Sequence, residues 1–162
     1  MCPECGFVYD VDDAGVAATA IRDGVDEVAA MLRGRGDLRS RRQVGVWSPL
    51  EYGCHLRDVL LVQRERVLAA RRTERHVCMS MGRDERVDHD GYAAQDPEDV
   101  ARQLTDAAEL FAGVLNRLGD EDWDRTVIYS HPEQAERSLR WVAVHTAHEV
   151  RHHRLDIRRQ LS

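Results

Sequence analysis

The sequence predicts an all-α fold, a four-helix bundle, and three observations predict it. Four segments carry apolar residues at helical spacing. Two of these segments open on a capping residue followed by proline. The segments run to roughly 20 residues each and are joined by loops, the pattern of a helix bundle. No internal repeat, low-complexity tract or interdomain linker interrupts residues 1–162, which read as one domain.

The first helix is expected from about Ala14 to Leu32, with Val16, Ala20, Ile21, Val25, Val28 and Leu32 on one side and Gly34 and Gly36 ending it. An arginine-rich loop leads to Trp47. The second helix has the clearest start: Ser48-Pro49-Leu50-Glu51 is a capping box with proline in the first turn. It continues through Tyr52, His55, Val59, Val62 and Arg66 to about Arg71, so His55 shares an inward stripe. Residues 72–95 form a long loop with Cys78, Met79, Met81 and an acidic-polar patch; such a length suggests a functional or mobile segment, and the two methionines an apolar lid or a simple loop cluster. The third helix opens at Asp96-Pro97 and runs to Leu118, with Gly119 as its terminator. Residues 120–132 are a loop holding Trp123, Tyr129 and His131, with Thr126 to Tyr129 as a short extended piece. The fourth helix is expected from about Glu133 to Gln160, with a core stripe that includes Val142, Thr146, Val150, His153 and Ile157.

Composition narrows the function. The chain has 162 residues, 43% of them apolar and 6% aromatic, with a formal net charge of −6. An acidic balance without a basic run excludes nucleic acid as a standing partner. No apolar stretch approaches the roughly 18 residues of a membrane span. Met1-Cys2-Pro3-Glu4-Cys5-Gly6 lacks the basic and apolar regions of a signal peptide, so the expected compartment is the cytoplasm. All 23 basic residues are arginine, a bias expected of GC-rich coding. A small-molecule substrate and a monomer or homodimer fit this picture.

Four of the eight histidines lie between His145 and His153 on the last helix. Residues four apart stack on one helix face, which pairs His145 with Glu149, His148 with His152, and Glu149 with His153. His153 falls on the apolar stripe and Glu149 at its edge. A buried glutamate costs several kcal/mol unless it is paired or bound to metal. A divalent cation between them would remove that cost, and His55 from the second helix would complete a His₂Glu set with an open position. The bland alternative is a solvated polar face with one or two satisfied core histidines. His148 and His152 lie about 100° round the helix from the core stripe. They suit orienting, pocket-lining or surface roles, with His148 or His131 as a candidate general base. His145 is one turn from Glu149 and is placed to line the pocket. Asp156 could orient the His153 ring or pair with Arg159.

Cys2-Pro-Glu-Cys5-Gly6 is half of a zinc knuckle within a tail of residues 1–10. Its missing ligands would come from elsewhere, with Cys54, Cys78, His76 or His89 as candidates; a free or redox-active thiol pair is the alternative. Cys54 reads as a small core residue, Trp47 and Trp123 as packing anchors, and Trp141 and Tyr129 as packing or pocket walls.

The blocks Trp47-Ser-Pro-Leu-Glu-Tyr-Gly-Cys-His55-Leu-Arg-Asp58 and His148-Glu149-Val-Arg-His152-His153-Arg-Leu-Asp156-Ile157 resemble the DinB-like superfamily, which includes the mycothiol-dependent maleylpyruvate isomerases. In that family one histidine of helix two joins two ligands four apart on the last long helix. The terminal histidine is followed three residues later by a polar Gln or Asp. His153 with Asp156 matches that rule and His152 with Leu155 does not, so the resemblance implies His55, Glu149 and His153 as ligands. It further implies Zn²⁺ or Ni²⁺ and activation of a thiol or water toward a small electrophile. The arginine-only bias makes mycothiol the natural low-molecular-weight thiol. The expected activity is therefore a metal-dependent thiol S-transferase or isomerase. A non-catalytic metal or small-ligand binding module, or a hydrolase using bound water, is the alternative.

Overall fold

The computed structural model describes residues 1–130 and 133–162. Four long helices run Ala17–Leu32 (α1), Pro49–Arg72 (α2), Pro97–Leu115 (α4) and Leu139–Leu161 (α6). Short helices Arg83–His89 (α3) and Asp120–Trp123 (α5) lie in the connections. Helix α1 packs on α4 and α6, and α2 packs on the same two, so the sequence neighbours α1 and α2 sit across the diagonal. Their apolar stripes meet in one core that includes Ile21, Leu32, Leu56, Leu60, Leu104, Phe111 and Ile157. Gly24 lets α1 approach α6 closely, since a Cβ there would sit 2.6 Å from Val150 Cγ1. No helix among the described residues is long and apolar enough to cross a membrane.

Local chemistry sets the helix starts. Ser48 Oγ accepts from the Glu51 amide at 3.2 Å, and Glu51 accepts from the Ser48 amide at 2.8 Å, closing the capping box. Asp96 accepts from the amides of Glu98 and Asp99. The first helix is preceded by a 3₁₀ turn at Val11–Val16, so its α-helical part begins later than the apolar spacing suggests.

Two boundaries differ from expectation. Residues Ala135–Ser138 are not the first turn of the last helix. They form strand β3, antiparallel to β2 (Thr126–Tyr129), which in turn lies parallel to β1 (His76–Val77). Strand pairing overrides the helix propensity of this stretch, and Ser138 caps α6 through the Trp141 amide. Gly119 does not terminate the third long helix, which ends at Leu115; it precedes α5 as its N-cap.

The long connection after α2 is structured and tied down. Asp58 is buried on α2 and accepts from Arg57 Nε at 2.8 Å, Arg86 at 3.0 Å and the Tyr92 hydroxyl at 2.6 Å. These bonds clamp α3 and the turn after it onto α2. The small sheet and this clamped segment border the mouth of a cavity between α2 and α6.

Candidate metal centre

Helices α2 and α6 bring His55, Glu149 and His153 together. One ligand-type atom from each lies within 4.8 Å of the others. The rings of His55 and His153 are 5.0 Å apart, and His153 Nε2 lies 3.6 Å from Glu149 Oε2. His55 is 5% exposed, and its Nδ1 is buried without a hydrogen-bond partner. Such an orphan costs about 1–3 kcal/mol in a protein interior, so a cation at this point fits the donor set. His153 Nδ1 meets Asp156 Oδ2 at 3.0 Å, which leaves Nε2 facing Glu149. Asp156 also lies 3.5 Å from Arg159, so both contacts expected of it coexist.

The electrostatics follow from burial and proximity. Burial pushes the His55 imidazole down to about 3, with His153 adding to the effect. Burial would also lower His153, but the Asp156 and Glu149 carboxylates outweigh it and raise that ring to about 9. Burial alone would raise Glu149; the His148 and His153 imidazoles, each 3.6 Å from a carboxylate oxygen, overcome it and hold the carboxyl well below its ordinary range. The site is thus an anionic carboxylate between imidazoles, one of them neutral, a donor set suited to a divalent cation.

These residues face a cavity of about 730 Å³. Its walls include Trp47, Val59, Arg66, Arg83, Tyr129 and His145. Trp47 packs on His55 with ring centroids 5.0 Å apart. Met81 joins the wall, whereas Met79 is 80% exposed and points away, so only one of the two methionines suits a cover. Trp141 stacks on His145 at 4.5 Å and acts behind the wall. His131 lies outside the described residues.

His148 and His152 form a second face of α6. They approach Cys2 and Cys5, and these four residues also offer ligand-type atoms within 4.8 Å of one another. The other suggested partners of the cysteines lie elsewhere. Cys54 is buried beside Tyr92 and Gln95, Cys78 is buried where strand β1 ends, and neither His76 nor His89 joins the thiol pair. The Cys5 backbone, His148 and the Glu4 backbone lower the Cys2 thiol to about 6, while burial raises Cys5. Sequence reasoning missed Tyr9, whose hydroxyl lies 3.0 Å from His145 Nδ1 and 2.7 Å from His148 Nδ1. No periodicity marks a residue in a non-helical tail, so nothing in the sequence announced it.

The family model of the DinB superfamily matches residues 18–157. Among solved structures the chain is similar to YfiT from Bacillus subtilis, described as a probable metal-dependent hydrolase with an unusual four-helix bundle topology. The TM-score is 0.81 at 13% identity, covering 94% of this chain and 88% of that chain. At that identity the likeness concerns the fold. No curated protein matches the sequence.

Proposed function

The chain belongs to the DinB superfamily, and from that premise we propose that it is a metal-dependent enzyme that activates a low-molecular-weight thiol toward a small electrophile. His55, Glu149 and His153 would hold a divalent cation, Zn²⁺ or Ni²⁺. The observation that carries this reading is the buried, unpartnered His55 Nδ1 beside a carboxylate and a second imidazole. When bound, the cation supplies Lewis acidity that lowers the pKa of a thiol or water at neutral pH. A three-residue protein set leaves a position open for that group.

The remaining roles fall to the chain. Asp156 fixes the His153 ring through Nδ1. Arg66 and Arg83 on the cavity wall offer cationic donors to carboxylate or hydroxyl groups of thiol or substrate. Among the imidazoles on the cavity wall, His145 is the candidate for proton transfer, with its Nδ1 3.0 Å from the Tyr9 hydroxyl. The cavity of about 730 Å³ has room for a thiol cofactor such as mycothiol together with a small substrate. In the reaction the thiol loses its proton and sulfur bonds to an electrophilic carbon. Either a leaving group departs, or in isomerisation the same C–S bond later breaks.

A hydrolase using water is the second reading, favoured by the fold shared with YfiT. The test is mycothiol-dependent turnover of small electrophiles by zinc- or nickel-loaded protein, read as loss of free thiol for transfer and as conversion of the electrophile for isomerisation, run beside ester and amide hydrolysis. Thiol-dependent turnover that disappears in Glu149→Ala and His55→Ala supports the proposal. Hydrolysis without thiol dependence overturns it in favour of water.

A further inference from the structure

We propose that the N-terminal tail and helix α6 hold a second, structural zinc ion through Cys2, Cys5, His148 and His152. This site is separate from the His55–Glu149–His153 set and does not depend on the function proposed for it. It also lies partly outside the superfamily match, which begins at residue 18.

The donor set is the first support. One ligand-type atom from each of the four residues lies within 4.8 Å of the others. Cys2 Sγ and His152 Nδ1 are 3.6 Å apart. In a tetrahedral site with Zn–S of about 2.3 Å and Zn–N of about 2.0–2.1 Å, a sulfur–nitrogen edge spans ~3.5 Å. Two thiolates and two imidazoles form a four-coordinate shell typical of zinc, and a closed shell marks a structural site. Both cysteines are free thiols.

The surroundings orient each ligand. His148 Nδ1 lies 2.7 Å from the Tyr9 hydroxyl, while its Nε2 is buried without a hydrogen-bond partner. That unpartnered nitrogen is the one left for the cysteines. His152 Nε2 lies 3.6 Å from carboxylate oxygens of both Glu4 and Asp156, which frees its Nδ1 for the metal. The tail is folded to match. Gly6, at φ +68°, returns its amide to the Cys2 carbonyl at 2.9 Å, and the Cys2 amide bonds the Phe7 carbonyl at 2.8 Å. This tight turn turns both sulfurs to one side. Arg151 on α6 donates to the Cys5 carbonyl at 3.2 and 3.3 Å and docks the turn against the helix.

The consequence is a clasp. Zinc at this site pins residues 1–10 across α6 and holds Phe7 and Tyr9 over His148 and His145. The tail then becomes part of the framework around the cavity.

Cobalt titration of the untagged, metal-stripped full chain tests the proposal. Co²⁺ bound by thiolates gives a near-ultraviolet charge-transfer band and intense tetrahedral visible bands. The wild type should show both, and Glu149→Gln should keep them. The Cys2→Ser, Cys5→Ser double variant should lose the charge-transfer band and one bound equivalent while keeping its far-ultraviolet circular dichroism. His152→Ala, which leaves both thiols in place, should weaken cobalt binding at the thiolate site at least tenfold, and this variant decides the matter if the double variant does not fold. A folded wild type that binds Co²⁺ without a thiolate band overturns the proposal, as does an unchanged stoichiometry in the double variant. A thiolate band without any equivalent lost in Glu149→Gln would instead count against the His55 site and leave this one standing.

Discussion

Replacing Asp156 separates orientation from proton competition at the His55–Glu149–His153 site. Its Oδ2 lies 3.0 Å from His153 Nδ1, and its side chain is 14% exposed. Asparagine keeps the shape and one acceptor but loses the charge. A hydrogen bond to a charged group contributes about 1.5–3 kcal/mol and a neutral one about 0.5–1.5 kcal/mol. The difference, roughly 1–1.5 kcal/mol, is about a tenfold loss in metal affinity, and complete removal of such a partner costs about 10–100-fold. Proton competition acts the other way. With the His153 ring raised to about 9, a metal binding at pH 7 must displace a proton held by about 2–3 kcal/mol. Removing Asp156 lowers that pKa and relieves the competition. At pH 7 the two effects oppose, whereas at a pH of about 9 the loss of orientation stands nearly alone. Competition against a chromophoric chelator should therefore show Asp156→Asn weaker by about tenfold, and Asp156→Ala by up to about a hundredfold, at the higher pH. The deficit should shrink toward neutrality. Equal affinities of wild type and Asp156→Ala at the higher pH would refute the reasoning.

Three further outcomes are expected. Asp58→Asn should lower unfolding stability in urea by about 2–3 kcal/mol, near the low end for breaking a buried ion pair, because Arg57 keeps Gln95 and Gln103 as acceptors. Burial would raise the Asp58 carboxyl, but Arg57 and Tyr92 hold it below its ordinary range. Its contribution is therefore complete above the unfolded carboxylate pKa and fades as pH falls through the depressed folded value. The variant should show a flatter acid limb, and an unchanged limb contradicts the clamp. Gly24→Ala should gain about 1 kcal/mol of helix propensity but lose about 1–3 kcal/mol to overpacking against Val150, whose Cγ1 would lie 2.6 Å from the new Cβ. A raised melting temperature would contradict that close approach. Saturating Zn²⁺ at about 100 times its dissociation constant should stabilise the fold by about 2.7 kcal/mol per site, several degrees in Tm. Glu149→Ala should forfeit the share of its site, as seen by differential scanning fluorimetry.

What the sequence revealed and what it hid have physical causes. The starts of α2 and α4 were legible because Ser48 and Asp96 cap their own helices through neighbouring amides, a local interaction. The start of α6 was not, because Ala135–Ser138 are held by strand partners at Thr126–Tyr129. Glu149 and His153 were legible as a pair because one helical turn separates them, and His55 because it shares a stripe with Tyr52 and Val59. The approach of Cys2 to His152 spans 150 residues of sequence. A Cys-x-x-Cys turn supplies half a site and gives no direction to the other half. The docking of the tail on α6, through Arg151 and Tyr9, sets Cys2 and Cys5 beside His148 and His152.

The doublet His152-His153 would let one helix serve both proposed centres. An α-helix turns about 100° per residue, so Glu149 and His153 address α2 while His148 and His152, each one residue earlier, address the tail. Asp156 lies three residues beyond one histidine and four beyond the other, and therefore reaches both. Its Oδ2 is 3.0 Å from His153 Nδ1 and 3.6 Å from His152 Nε2. If it steers both rings, its loss must be felt at both sites, whereas loss of His55 must be felt at one. In the cobalt titration, Asp156→Ala should weaken the thiolate-marked equivalent as well as the other, and His55→Ala should leave the thiolate band at wild-type intensity. The thiolate equivalent should suffer less, since Glu4 also lies 3.6 Å from His152 Nε2 and stands in for the missing carboxylate. An Asp156→Ala protein whose thiolate band titrates as in the wild type, even with Glu4→Ala added, would show that the two centres share a helix and nothing more.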